Sequence, residues 1–198
     1  MPDSVINITN MLITSLGAIY LLIVAMRLLL QFVRADFYNP LSQFIVKATN
    51  PLLLPLRKII TGFYGVDWAS ICLLLTIHVL LTLLLCLLNN VAVNFVALLC
   101  WSLIGVLFFI VNIFFWAMMI SIVVSFVAPQ NNHPALLLMR QLTEPLFEPI
   151  RRRLPSMGGL DFSPIIIFIG IYVIEQILYV LAGMAQITPY IAKSIIGI

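Results

Sequence analysis

The chain has 198 residues, 63% of them apolar and 9% charged, with a net charge of +3 at neutral pH. A soluble domain is roughly half apolar and about one-quarter charged, so ten basic and seven acidic side chains could not cover the surface of a globule this size. Disorder is excluded because disordered segments are poor in apolar residues and rich in charge, and a mean hydropathy of +1.18 leaves a helical integral membrane protein.

Residues Met1 to Asn10 contain no Lys or Arg, so they lack the basic region of a secretory signal, and the first apolar run is expected to remain as a span. That run, Ile8 to Val33, is broken only by Arg27. It exceeds the roughly 20 apolar residues needed to cross a hydrocarbon core. A mixed segment follows from Arg34 to Asp67, with Pro40, Pro51, Pro55, Gly62 and Gly65. Trp68 to Leu88 forms the second span, and Asn89-Asn90 interrupts it.

Val91 to Val127 is apolar throughout, about 55 Å as one helix and too long for one crossing. A second mixed segment, Ala128 to Asp161, carries five prolines, and a fourth span, Phe162 to Ala182, precedes a short tail. The three cysteines, Cys72, Cys86 and Cys100, lie inside apolar stretches and give neither a disulfide framework nor a zinc pattern.

The chain repeats itself. A shift of 94 residues sets Thr49-Asn50-Pro51-Leu52-Leu53-Leu54-Pro55-Leu56-Arg57-Lys58 on Thr143-Glu144-Pro145-Leu146-Phe147-Glu148-Pro149-Ile150-Arg151-Arg152. It also sets Gly65 on Gly159 and Asp67 on Asp161, and between Gln31 and Ile71 it gives 11 identities in 41 positions. Proline, arginine, glycine, aspartate and threonine carry most of them, so shared hydrophobicity does not explain the match.

The repeat divides the long apolar run. Residues 8–88 form a first unit, 89–101 an interfacial connector, 102–182 a second unit and 183–198 a tail. The expected fold is all-α: two parallel tandem repeats, each span, amphipathic Pro-Arg loop and span, about four transmembrane helices in all. Two crossings per unit return the chain to its starting side and make the units parallel; a crossing by 89–101 would make them inverted, but thirteen residues cover only about 20 Å as a helix. Eight of the ten basic residues fall in the two loops, so the positive-inside rule places both loops in the cytoplasm and the termini outside.

Each loop opens with apolar residues at helical spacing, Leu41, Phe44, Ile45 and Ala48 in one and Ala135, Leu138, Met139 and Leu142 in the other. Ser42, Gln43 and Lys47 lie opposite in the first, as in a short helix lying among lipid headgroups. Paired prolines four residues apart then remove backbone donors and are expected to end that helix. Arg57, Lys58, Arg151, Arg152 and Arg153 follow, and are candidates for binding anionic lipid or an acidic partner surface. The plainer alternative is that they only orient and anchor the chain.

Asp67 and Asp161 stand just before spans and are expected to cap them. Four polar residues lie within spans. Arg27, about 9 Å from the cytoplasmic end, is expected to extend to the interface. His78 is expected to be a hydrogen-bonded packing residue. Glu175 and Asn112 lie at similar depth and are expected to face one another, unless Glu175 is protonated. No glycine-rich phosphate loop, metal cluster or nucleophile–base spacing is visible, so no catalytic residue, cofactor, metal or nucleic-acid partner is expected.

The strings Asp36-Phe37-Tyr38-Asn39-Pro40-Leu41-Ser42-Gln43-Phe44 and Pro145-Leu146-Phe147-Glu148-Pro149-Ile150-Arg151-Arg152-Arg153-Leu154-Pro155, with Asp161-Phe162-Ser163-Pro164, resemble the YggT family. The resemblance runs from about Ile8 to Ala182 and is to the two-copy, Gram-negative bacterial form. Thr61 departs from it, standing where the family usually has proline and where the second unit has Pro155. The resemblance implies a multi-pass bacterial inner-membrane protein, linked to osmotic and potassium homeostasis or to division genes. Chloroplast relatives are similar to factors for haem attachment to cytochrome b6 and membrane organisation. The expectation is a non-enzymatic inner-membrane scaffold or assembly factor that meets membrane lipids and a membrane or cytoplasmic protein through its basic loops, with a role in osmotic stress or envelope homeostasis. The alternative is a small homo-oligomeric channel or transporter for potassium or osmotic balance.

Overall fold

The computed structural model describes residues 3–63, 65–127, 133–153 and 162–186. It contains six helices: α1 (Asp3–Phe32), α2 (Pro40–Ile59), α3 (Trp68–Leu88), α4 (Phe95–Val127), α5 (Pro134–Arg151) and α6 (Ser163–Met184). No strand occurs among the described residues, and one isolated bridge joins Phe63 to Val66. Four helices, α1, α3, α4 and α6, are long and apolar enough to cross a membrane. The protein is thus an all-helical membrane protein of two tandem units, α1–α3 and α4–α6.

The spans carry large exposed apolar side chains such as Leu16, Trp116, Phe126 and Ile169, as surfaces that meet lipid must. The largest core cluster joins Val24, Ala25 and Leu29 of α1 with Leu53 of α2, Leu74 of α3, Ala117 of α4 and Leu142 of α5. A second cluster sets Ile104 and Phe108 of α4 against Leu178 and Ala182 of α6. Both units therefore share one interior, and α6 packs on α4 and α5 at its flank.

Within the long apolar run, Phe95–Val127 form a single helix of 33 residues. The connector read over 89–101 is correspondingly shorter, since Phe95–Trp101 are already the first turns of α4. The Trp101 indole N–H donates to the Ala185 carbonyl at 2.8 Å. Ala185 caps the C-terminus of α6, so the six residues before Trp101 carry α4 about 9 Å past that level. At the same end, Asn10 and Asn89 exchange side-chain hydrogen bonds of 3.0 and 3.1 Å, tying α1 to the end of α3.

The loops differ from expectation in two respects. The paired prolines do not end the helices: α2 runs through Pro51 and Pro55, and α5 through Pro145 and Pro149. All four prolines are exposed. Being four apart, each pair lies on one face, so the carbonyls they deprive of donors are on the outside, where water or headgroups reach them.

The second is Ser42, which was expected on the polar face of the first loop helix and is buried. Leu41 and Phe44 point outward, whereas Ser42, Ile45, Thr49 and Leu53 are buried. Thr49 is drawn inward by a polar demand from α1, described below. In α5 the buried residues are Leu138 and Leu142, from its apolar face, with Thr143 and Phe147.

Candidate functional site

Both loop helices begin alike. Asn39 caps α2 by accepting from the Leu41 N–H at 2.9 Å, and His133 caps α5 by accepting from the Ala135 N–H at 3.3 Å. Each cap precedes a proline in the first turn, where no donor is lost. The two helices also touch. Asn39 Nδ2 donates to the Pro134 carbonyl at 2.8 Å, and the Asp36 N–H donates to Gln141 Oε1 at 3.0 Å. The loops of the two units thus form one continuous surface at one end of the bundle, a juxtaposition that the spacing of the repeats left open.

Arg27 reaches from α1 to the loop helix α2. It is buried, and its Nη1 donates to the Val46 carbonyl (3.0 Å), Thr49 Oγ1 (2.9 Å) and Asn50 Oδ1 (3.0 Å). Its side chain reaches the loop helix, because α2 folds back onto α1 and offers these oxygen acceptors. Thr49 in turn donates to the Ile45 carbonyl at 2.8 Å. In the second unit the same positions hold Ser121 and Thr143, whose hydroxyls are 3.4 Å apart, and Thr143 donates to the Met139 carbonyl at 2.9 Å. The threonine was legible as one of the repeat identities; its partnership with Arg27 was not.

Asp67 occupies the N-cap of α3. Its carboxylate accepts from the Ser70 N–H at 3.3 Å and the Ser70 hydroxyl at 2.6 Å. It is also ion-paired with Arg57, which donates to Gln31 Oε1 at 3.1 Å as well. Burial opposes ionisation of this carboxyl, but the Arg57 and Ser70 hydrogen bonds outweigh it and hold Asp67 below the usual carboxylate range. Gly65, at φ 75°, turns the chain into this cap in the left-handed region that glycine tolerates. Asp161, expected to act likewise, lies outside the described residues.

Lys58 and the arginines at the end of α5 point outward. Arg151 pairs with Glu144 at 3.1 Å and stacks 5.0 Å from the centre of the Phe147 ring, while Arg152 pairs with Glu148. Lys58, Arg152 and Arg153 are exposed, and Arg57 is half-buried.

Within the spans, His78 is buried, with Nδ1 3.3 Å from Thr82 Oγ1, and that hydroxyl donates to the His78 carbonyl at 2.8 Å. Asn112 is exposed on α4 and makes no hydrogen bond with Glu175, so the pairing expected of them is corrected. The inward face of α4 there is set by the buried Ile113, Ala117 and Met118, which turns Asn112 out. Glu175 is half-buried and shares a face of α6 with Ile171 and Leu178, which pack on α4. Three positively charged side chains, Arg27, Arg34 and Arg57, instead converge at the C-terminal end of α1, where they line a cleft of about 370 Å³.

The model of the CCB3/YggT family matches residues 6–88 and 100–182, one copy on each unit. An uncharacterized protein of Pseudomonas aeruginosa is 46% identical over 88% of this chain and 92% of its own length. A second, from the proC 3′ region of Vibrio alginolyticus, is 40% identical over 83% of this chain and 90% of its own. The uncharacterized protein YggT of Escherichia coli is 35% identical over 86% of this chain and 88% of its own. No solved structure matches the chain significantly. With one family copy over each half of a four-span bundle, and relatives alike along nearly their whole length, the chain belongs to the CCB3/YggT family.

Proposed function

We propose that this protein is a non-enzymatic scaffold or assembly factor of the bacterial inner membrane, acting through the joined surface of its two basic loops. The observation that carries the reading is the contact between the loop helices, Asn39 to Pro134 and Asp36 to Gln141. It makes one surface out of two basic segments, which suits docking of a partner better than two independent anchors would. Arg57, Lys58, Arg151, Arg152 and Arg153 supply charge for an acidic protein surface or for anionic headgroups. The basic side is cytoplasmic by the positive-inside rule, and the termini are periplasmic.

Affinity purification from native membranes tests this, comparing the natural chain with an Arg151/Arg152/Arg153→Gln variant of matched abundance. The reading expects specific proteins to be lost from the variant. Identical sets with no specific protein would contradict it. A link to osmotic stress or envelope homeostasis then takes the form of partner recruitment.

A second reading, a small oligomeric channel or transporter in potassium or osmotic balance, draws on Glu175. A carboxylate half-buried in a span is costly to keep there without a role. Ion flux through liposomes, with Glu175→Gln as the comparison, checks it: flux lost in the variant supports transport, and equal or absent flux removes it.

A further inference from the structure

The cleft at the C-terminal end of α1 goes beyond that reading, and we infer that it is a binding site for one phosphate-class oxyanion, supplied by the headgroup of an anionic phospholipid. Arg27, Arg34 and Arg57 line it, and no carboxylate is among the lining residues. Asp67 lies in the adjoining cleft, with Arg57 and Gln31 common to both. Asp67 is ion-paired with Arg57, and neither Arg27 nor Arg34 has a carboxylate partner among the described residues.

Each arginine retains donors for a ligand. Arg27 makes its three hydrogen bonds through Nη1, all to neutral oxygens, and its other side-chain nitrogens bond to none of the described residues. Arg34 is exposed and its guanidinium pairs with no described carboxylate. It is held at the mouth by a left-handed backbone turn, φ 55°, which closes α1 through the Ala35 N–H bond to the Leu30 carbonyl at 2.8 Å. A non-glycine residue in that region is uncommon, so the turn fixes where this side chain leaves the helix.

A further observation points to a ligand. Ser42 lines the same cleft, is 6% exposed, and its hydroxyl has no hydrogen-bond partner. A buried hydroxyl normally finds one, and an oxyanion seated between the arginines would supply the acceptor. Convergent guanidinium groups suit the several oxygens of a phosphate. The apolar wall from Leu30, Phe37 and Ile45 suits the glycerol and acyl part of a lipid better than it suits a free ion.

The second unit lacks these features. A shift of 94 residues replaces Arg27, Gln31, Arg34 and Ser42 by Ser121, Ser125, Ala128 and Leu136, while Arg57 remains as Arg151. The site therefore belongs to the first unit, and the scaffold reading and this one stand or fall separately: Arg151 to Arg153 bear on the former, Arg34 and Ser42 on the latter.

The test uses the delipidated full-length chain in a neutral detergent, with thermal melting and lipid retention as readouts. Phosphatidylglycerol, phosphatidylcholine and inorganic phosphate are titrated at constant ionic strength, because screening alone weakens exposed charges. Phosphatidylglycerol is expected to stabilise and be retained, and the other two are not. Arg34→Gln, an exposed substitution that leaves the fold intact, weakens that binding about tenfold, the effect of losing one charge-assisted contact. Ser42→Ala leaves lipid-free melting unchanged yet weakens binding, a split that a structural role would not produce. Lys47→Gln, an exposed cation elsewhere on α2, leaves binding unchanged.

Stabilisation by inorganic phosphate that disappears in Arg34→Gln would keep the cleft but overturn its lipid source. No stabilisation by either anion would overturn the site, as would equal weakening by Lys47→Gln and Arg34→Gln.

Discussion

The two units of this protein share a fold and differ in how they fasten it. In each, a loop helix returns against the first span and presents a threonine to it, Thr49 in one and Thr143 in the other. The first unit answers that threonine with a buried guanidinium that makes three hydrogen bonds. The second answers it with the hydroxyl of Ser121 at 3.4 Å. At the opposite end, the first unit ties its spans through the Asn10–Asn89 amide pair, whereas the second uses the Trp101 indole on the Ala185 carbonyl. A duplicated architecture has thus kept its geometry while concentrating polar groups in one copy. Hydrogen bonds to charged groups exceed neutral ones in strength, so the first loop is the more firmly held.

Substitutions at paired positions sharpen that contrast, and Arg27→Met is expected to act most strongly. It leaves the Val46 carbonyl, Thr49 and Asn50 without their shared donor, at a cost of about 2–3 kcal/mol. A melt in neutral detergent reads this as a large fall in midpoint, and a midpoint within experimental error of the parent would break the comparison.

Asp67→Ala comes next, at about 1 kcal/mol for loss of a cap, and it carries a pH signature. The carboxyl is held below its ordinary value of 3.8 in the folded chain, so it contributes stability above that pH. The contribution disappears as pH falls from there through the lower folded-state value. The gap between parent and variant should therefore be full at neutral pH and close in acid; a gap independent of pH would assign the effect to packing alone.

Asn89→Leu removes the reciprocal amide bonds at the other end and is expected to cost up to about 1 kcal/mol, since it leaves Asn10 short of one partner. Ser121→Ala, the counterpart of the Arg27 substitution, should be the mildest, at under about 1 kcal/mol. The same melts check both, and a Ser121→Ala loss equal to that of Arg27→Met would mean that the units are fastened alike.

Much of this was legible in the sequence, because hydropathy over some twenty residues and an ungapped internal match are robust signals. Trp68–Leu88 is a helix with the bounds its apolar run indicates, and Asp67 stands where a cap was expected. The loop helices were harder. Proline pairs ordinarily halt a helix by removing donors, but that penalty depends on whether the freed carbonyls are solvated. Exposure of Pro51 and Pro55 is a tertiary fact that spacing does not carry. The partners of Arg27 were hidden for a related reason: depth gives only the reach of its side chain, whereas the observed bonds need α2 to fold back beside it. Asn112 and Glu175 share a depth, but depth says nothing of azimuth, and the packing of Ile113 and Met118 turned the asparagine outward.

The most direct test of the account is the side of the membrane on which the joined basic surface lies. Single cysteines at Lys58 and Arg152, in a chain whose Cys72, Cys86 and Cys100 are replaced by alanine, can be labelled in right-side-out and inverted membrane vesicles. The account predicts that both positions react from the cytoplasmic face alone, while a cysteine at Asn94 reacts from the other. Labelling of Lys58→Cys and Arg152→Cys from opposite faces would contradict the shared surface, and labelling of both from the periplasm would contradict its orientation.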